Sequence, residues 1–172
     1  LDILIHAIAY ANKEDLSPPF VQTGRAGFHA ALDISSYSLV ALTRHAAGLM
    51  RGRDGAVVTL TYMGSEKVIP NYNVMGVAKA ALEASVRYLA YDLGPEGIRV
   101  NAISAGPVKT LAAAGIAGFR DMLHYAGERA PLKRNVEPAE IGRTAVYLVS
   151  ELGSGVTGET LHVDAGYNVM GM

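Results

Sequence analysis

The sequence has no cysteine and no tryptophan in 172 residues, and its 15 Lys and Arg nearly balance its 16 Asp and Glu. The missing cysteines exclude a disulfide framework, thiolate metal sites and a cysteine nucleophile. A formal net charge of −1 gives no electrostatic reason to expect nucleic acid or a membrane surface as the main partner. Because no apolar run approaches the roughly 18 residues of a membrane span, we expect a cytoplasmic protein.

Half of the residues are apolar, which is typical of a folded globular domain, and we expect a single domain over residues 1–172. The chain opens on an apolar run, residues 1–10, of the kind that forms buried strands in parallel sheets. No polar leader precedes this run. We therefore expect the domain to be incomplete and to begin at an internal strand, with about 80 residues before it in the native protein. A true N-terminal strand is the alternative.

Apolar periodicity and Gly/Pro breakers predict strands that alternate with helices. The predicted strands cover residues 1–10, 56–62, 98–104 and 159–164, and the predicted helices cover residues 25–51, 73–93, 110–127 and 137–150. This alternation predicts an α/β fold with a doubly wound parallel sheet.

Residues 153–158 read Gly-Ser-Gly-Val-Thr-Gly, which matches the G-x-G-x-x-G pattern of phosphate-binding loops. Such a loop binds phosphate because it leaves a strand and enters a helix, whose free N–H groups face the ligand. This segment leaves a predicted helix and enters a predicted strand, so we expect a turn without a phosphate. The five histidines are scattered, and no metal site is predicted.

Tyr62, Tyr72 and Lys79 are the main candidates for chemistry, at a strand end, a loop-to-helix junction and the following helix. Ligands of open α/β sheets bind beyond the carboxyl ends of strands, which is where Tyr62 would lie. Tyr72 and Lys79 are nearly two helical turns apart and would project to the same side. A structural alternative is that Lys79, Glu83 and Arg87, spaced i, i+4, i+8, form a solvated polar stripe.

The predicted helix at residues 73–93 is apolar around most of its circumference, more than one sheet face can cover. A second surface must bury the remainder. We therefore expect a homo-oligomer, a homotetramer or at least a homodimer, formed through this helix and its neighbour at residues 25–51.

Two segments, residues 72–80 and 94–107, resemble the short-chain dehydrogenase/reductase superfamily, and more narrowly its bacterial enoyl-acyl-carrier-protein reductases. Residues 6–11, 33–38 and 162–167 also resemble family segments. The resemblance implies a Rossmann-like fold, of which this chain would hold the C-terminal two-thirds. It also implies reduction of the C=C bond of trans-2-enoyl thioesters, carried on acyl carrier protein, by NADH in fatty-acid synthesis, with NADPH as the alternative.

The resemblance separates two chemistries. Carbonyl-reducing members carry a serine, a tyrosine thirteen residues later and a lysine four residues after that; counted back from Lys79, these positions hold Tyr62 and Met75. Enoyl reductases instead use Tyr-x6-Lys and a second tyrosine at the serine position, which Tyr72, Lys79 and Tyr62 match. In that pattern Tyr72 donates to the enolate oxygen, Lys79 binds the nicotinamide ribose, and Tyr62 lines the site and assists proton delivery.

The remaining site residues are carried over by position. Cofactor contacts are expected at Ile8, Lys79, Val108, Lys109, Thr110, Leu111 and Ala112. An acyl pocket is expected to be lined by Ala11, Met75, Ile116, Phe119 and Met122, with the last three on a mobile lid helix. Family members often carry basic residues on this helix that dock the acidic carrier protein; Arg120 is basic here, whereas Ala117 and Asp121 are not. Two other functions stay open, a ketone or alcohol oxidoreductase of the same superfamily and a non-catalytic oligomerisation module.

Overall fold

The computed structural model describes residues 1–17, 19–109 and 118–171. In these ranges, four strands alternate with helices along the chain. The elements are β1 (Ile3–His6), α1 (Arg25–Leu32), α2 (Ser38–Met50), β2 (Ala56–Thr61), α3 (Asn73–Leu93), β3 (Arg99–Ala105), α4 (Phe119–Arg129), α5 (Pro138–Val149) and β4 (Thr160–Val163).

The strands form one sheet in the order β1-β2-β3-β4, and every neighbouring pair is parallel. Helices α2 and α3 pack on one face of this sheet, and α5 packs on the other. The predicted α/β fold with a doubly wound parallel sheet is therefore confirmed. Because all strands run the same way, their carboxyl ends meet along one edge, which places the residues that follow β1, β2 and β3 side by side.

Burial on both faces explains the apolar composition of the central strands. Val57 of β2 packs in a core cluster with Leu82 and Val86 of α3. The next residue, Val58, points to the opposite face and packs with Leu148 of α5. A strand covered on both faces needs apolar residues at consecutive positions, because neighbouring side chains point to opposite sides.

The first strand is shorter than predicted. The apolar run covers residues 1–10, but only Ile3–His6 pairs with β2, and Ile8 and Tyr10 are exposed. The predicted helix at residues 25–51 forms with an interruption, since Asp33–Tyr37 is a π-helical turn between α1 and α2. Of the predicted helix at residues 110–127, the first part lies outside the described residues, and α4 is the part that is described.

Helix α3 begins and ends where the sequence predicted. It stops at Gly94-Pro95, and the left-handed Gly97 (φ 73°) then leads the chain into β3. The outer side of α3 leaves apolar side chains exposed, with Val77, Tyr88 and Tyr91 at 36, 75 and 82% exposure. Among the helices of the described ranges, none is both long and apolar enough to cross a membrane.

The glycine-rich segment at residues 153–158 connects α5 to β4, as expected of an αβ turn. A Cβ at Gly153 would lie 2.6 Å from the carbonyl oxygen of Tyr147, so this glycine allows the chain to turn back against α5. At the other end of α5, Glu137 and Glu140 form a capping box.

Candidate active site

Two tyrosines meet at the carboxyl edge of the sheet. Tyr62 directly follows β2, and Tyr72 directly precedes α3. Their rings pack edge to face, with centroids 5.2 Å apart and an angle of 76° between planes. Glycines permit this approach, because a Cβ at Gly64 would lie 2.5 Å from Cδ1 of Tyr72, and a Cβ at Gly76 would lie 2.7 Å from the carbonyl oxygen of Gly64. The turn after β2 and the first turn of α3 are therefore in direct contact.

Lys79 lies on the inner side of α3 and is only 6% exposed. Its Nζ donates to the carbonyl oxygen of Leu60, near the end of β2, at 2.8 Å. Burial lowers the pKa of Lys79 to about 8, while the nearby carboxylate of Glu83 acts in the opposite direction. Glu83 is itself 7% exposed, so the interpretation of a solvated stripe is wrong for both residues. Only Arg87, a turn further on, is exposed.

Both phenols are kept neutral by burial. Desolvation raises the pKa of Tyr62 to about 12 and raises that of Tyr72 as well, because an ionised phenolate would lose its hydration. Among the described residues, the Tyr72 hydroxyl has no hydrogen-bond acceptor. The site therefore offers a neutral phenol donor near pH 7.

His6 forms a buried polar cluster beneath the tyrosines. Its Nδ1 lies 2.8 Å from Oγ1 of Thr59, and its Nε2 lies 2.8 Å from Oγ of Ser38. Ser38 donates its single hydroxyl proton to the carbonyl oxygen of Ile34, at 2.6 Å. Nε2 must therefore be the donor to Ser38, and the neutral ring accepts from Thr59 through Nδ1. Desolvation and the positive charge of Lys79 lower the pKa of His6 to about 4.

A cleft of about 500 Å³ opens beside Tyr62, between the turn that follows β2 and helix α4. Tyr62 reaches across it, since its hydroxyl donates to Sδ of Met122 at 3.3 Å. The walls are largely apolar and aromatic, and they include Tyr62, Ile69, Pro70, Met122, Tyr125 and Tyr167. A cleft of this volume and composition suits a small apolar ligand.

The structure brings together several of the residues predicted to bind substrate. Ala11 and Met75 pack in one cluster with Tyr62 and Tyr72, and Met122 lines the adjacent cleft. Phe119 begins α4 and is half-buried, but it is not among the residues that line this cleft. Ile116 lies outside the described residues.

The residues predicted to contact cofactor are placed by the strand ends. Ile8 follows β1 and is exposed, whereas Val108 and Lys109 follow β3 as half-buried and exposed residues. They therefore share the carboxyl edge of the sheet with Lys79. Thr110, Leu111 and Ala112 lie outside the described residues.

Sequence reasoning missed two aromatic residues of the cleft. Tyr125 and Tyr167 pack edge to face at 6.4 Å, with the guanidinium of Arg129 4.1 Å from the centre of the Tyr125 ring. Nothing in the local sequence marked either residue, because α4 and the turn after β4 meet only in the folded chain. In the ranges that the structure describes, no cluster of three or more His, Asp or Glu could hold a metal ion.

The parallel sheet with helices on both faces, and a Tyr-x6-Lys pair at its carboxyl edge, define an α/β protein of the Rossmann-like class. The profile of one family, described as "Enoyl-(Acyl carrier protein) reductase", matches residues 1–168, and the chain belongs to that family. A relative from Nostoc sp., an enoyl-(acyl-carrier-protein) reductase (NADH), is 58% identical over all 172 residues. A relative from Staphylococcus aureus, named as the NADPH form, is 56% identical over 99% of the chain.

The fold comparison gives the same result. The crystal structure of the NADH-dependent enoyl-(acyl-carrier-protein) reductase of Aquifex aeolicus superposes with a TM-score of 0.97 at 54% identity, and the match covers 100% of this chain and 67% of that one. The chain spans 66% of the length of the Nostoc and Staphylococcus relatives.

Proposed function

We propose that this chain carries the substrate-reducing half of an enoyl-thioester reductase, which acts on trans-2-enoyl groups of acyl carrier protein and uses NADH, with NADPH as the alternative. The observation that carries the proposal is the position of the phenols. Tyr72 contacts Tyr62 one turn before Met75, the position at which a carbonyl reductase of the superfamily has its tyrosine. The names of the Nostoc and Staphylococcus relatives support the same activity and both cofactors.

The position of the phenol matters because the two reductions develop charge at different atoms. Hydride added to a ketone leaves negative charge on the oxygen of the attacked carbon. Hydride added to the β-carbon of an enoyl thioester leaves the charge on the carbonyl oxygen, two carbons away. A donor moved by one helical turn, as Tyr72 is relative to position 75, suits the second geometry. Its neutral phenol would donate to the developing enolate oxygen and stabilise it.

Lys79 fits the role of a ribose ligand. An ammonium has three N–H donors, and among the described residues its one hydrogen-bond acceptor is Leu60 O, so donors remain for a diol at the edge of the sheet. Ile8, Val108 and Lys109, with Thr110, Leu111 and Ala112, would complete the cofactor contacts. When bound, the nicotinamide supplies the hydride.

The apolar cleft is the proposed acyl site. Tyr62 and Met122 would contact the chain next to the thioester, with Met75 and Ala11 behind Tyr72 and with Ile116 and Phe119 on the α4 side. Tyr62 would also assist proton delivery, since its hydroxyl lies at the entrance to the cleft, where it contacts Met122.

We also propose assembly as a homotetramer through α3. Its exposed Val77, Tyr88 and Tyr91 form an apolar surface of the kind that monomers rarely leave in water. A cytoplasmic location is part of the same proposal, since acyl carrier protein would be the partner that brings the substrate.

The test compares two substrates in the native polypeptide that carries these residues. We expect NADH-dependent reduction of a crotonyl thioester to be faster than that of an acetoacetyl thioester. Tyr72→Phe removes one preorganised donor and should lower kcat on the order of 10²-fold. Tyr147→Phe, on α5 at the opposite sheet face, is the matched control and should leave kcat unchanged. Faster turnover of the keto substrate, or wild-type kcat in Tyr72→Phe when hydride transfer limits the rate, would refute the proposal.

A further inference from the structure

We propose that Glu83 is a positioning residue for Lys79, which it holds in the cationic form at the carboxyl edge of the sheet through its buried carboxylate and its bond to Thr61. The inference rests on the proposed function, in which Lys79 binds the nicotinamide ribose. It assigns a role to a residue that lies one helical turn below the Tyr-x6-Lys pair.

The contacts of Glu83 are those of a built site. Its Oε1 accepts a hydrogen bond of 2.6 Å from the Thr61 hydroxyl, and both residues are buried, at 7 and 4% exposure. Thr61 is the last residue of β2, and its neighbour Leu60 accepts from Lys79. Consecutive residues of one strand therefore hold the lysine and the glutamate of α3, which fixes the rotation of the helix relative to the strand end.

Charge compensation explains why a carboxylate is buried here. An ammonium taken out of water is destabilised unless an opposite charge lies nearby. The titratable groups that face Lys79 are His6 from β1, Tyr72 at the start of α3, and Glu83. Burial keeps His6 and Tyr72 neutral near pH 7, so Glu83 supplies the negative charge.

The other elements packed against α3 bring no competing charge to Lys79. The charged and titratable side chains of the α1–α2 stretch are exposed; they are Arg25, His29, Asp33, Arg44 and His45. The charged residue of β3, Arg99, lies at the opposite end of the sheet, where it donates to the carbonyl oxygen of Leu148. Loss of the Glu83 charge would therefore lower the pKa of Lys79 below its present value of about 8, and a neutral amine would replace the ammonium near neutral pH.

The experiment measures NADH affinity against pH in the native polypeptide, by nicotinamide fluorescence between about pH 6.5 and 9.5. If NADH binds the cationic form of Lys79, wild-type affinity should fall above about pH 8. In Glu83→Gln the midpoint should move down by about one pH unit, so that binding is nearly equal to wild type at pH 6.5 and about tenfold weaker at pH 9. Glu151→Gln, an exposed residue after α5, is the matched control and should keep the wild-type midpoint.

Two further variants separate positioning from folding. Glu83→Asp retains the charge and should restore most of the midpoint. Thr61→Val retains the charge but removes the hydroxyl that holds it, and should give a smaller shift in the same direction. A merely structural role would lower the melting temperature and the affinity at every pH without moving the midpoint, and that result would overturn the inference.

The outcomes also separate the inference from the proposed function. A wild-type protein that binds NADH, with the same midpoint in Glu83→Gln or, should that variant fail to fold, in Thr61→Val, overturns the role of Glu83 alone. A folded wild-type protein that binds no nicotinamide dinucleotide overturns the proposed function and this inference with it.

Discussion

The buried His6 should make the stability of the fold depend on pH in a defined window. In the native state His6 is neutral, 1% exposed and bonded through both ring nitrogens, and its pKa is lowered from 6.5 to about 4. Between these two values the unfolded chain binds a proton that the folded chain does not. Stability is therefore highest above pH 6.5 and falls as the pH drops through this window.

The magnitude follows from the two pKa values. At pH 5.0 the unfolded histidine is almost fully protonated while the folded one is largely neutral, so folding should be weakened by about 2 kcal/mol relative to pH 7.5. His6→Gln keeps polar atoms on the side chain but cannot titrate. It should therefore lose this share of the pH dependence, even if it is less stable than wild type at pH 7.5.

The assay is urea unfolding at both pH values and at one protein concentration. The change in the free energy of unfolding from pH 7.5 to 5.0 should be smaller by about 2 kcal/mol in His6→Gln than in wild type. His45→Gln, an exposed histidine on α2, is the control and should retain the wild-type pH dependence. If His6→Gln kept the same pH dependence as wild type, the assignment of a neutral, buried His6 would be refuted.

Two other predictions follow from close packing and from the exposed face of α3. Gly64→Ala would place a methyl group 2.5 Å from Cδ1 of Tyr72, so the ring must move; we expect a crotonyl thioester kcat at least tenfold lower and a destabilisation of about 1–3 kcal/mol, and an unchanged kcat would contradict the proposed position of the phenol. Ala84→Asp should dissociate the oligomer in light scattering, with Ala139→Asp on the exposed part of α5 as control; a wild-type monomer at micromolar concentration would disprove the assembly.

The sequence predicted the elements that have strong local signals. Helix α3 was placed at its observed limits, because its apolar positions repeat at helical spacing and Gly94-Pro95 ends it. The strand at β1 was predicted too long, because apolar character after His6 cannot reveal where pairing with β2 stops. The π-helical turn at Asp33–Tyr37 was also missed, since its residues have ordinary helical propensities.

The candidate site was predicted in part for a similar reason. Tyr62, Tyr72 and Lys79 follow a spacing that can be recognised along the chain, and their roles stay predictions until the variants are measured. The burial of Glu83 could not be read from its i+4 spacing to Lys79, which is equally typical of a solvated pair. Its partner, Thr61, lies on a different element, and only the packing of α3 on β2 brings the two together.

The bonds made by β2 have a consequence for how the site assembles during folding. The bonds that join β2 to Lys79 and Glu83 of α3 span 19 and 22 residues, whereas those of His6 to Thr59 and of Tyr62 to Met122 span 53 and 60 residues. Shorter loops lose less entropy on closure, so the β2–α3 unit should acquire its native contacts first. In pulsed hydrogen exchange, we expect amides of β2 and α3 to be protected before those of α4, so that the phenols and the lysine are in place before the cleft beside them closes.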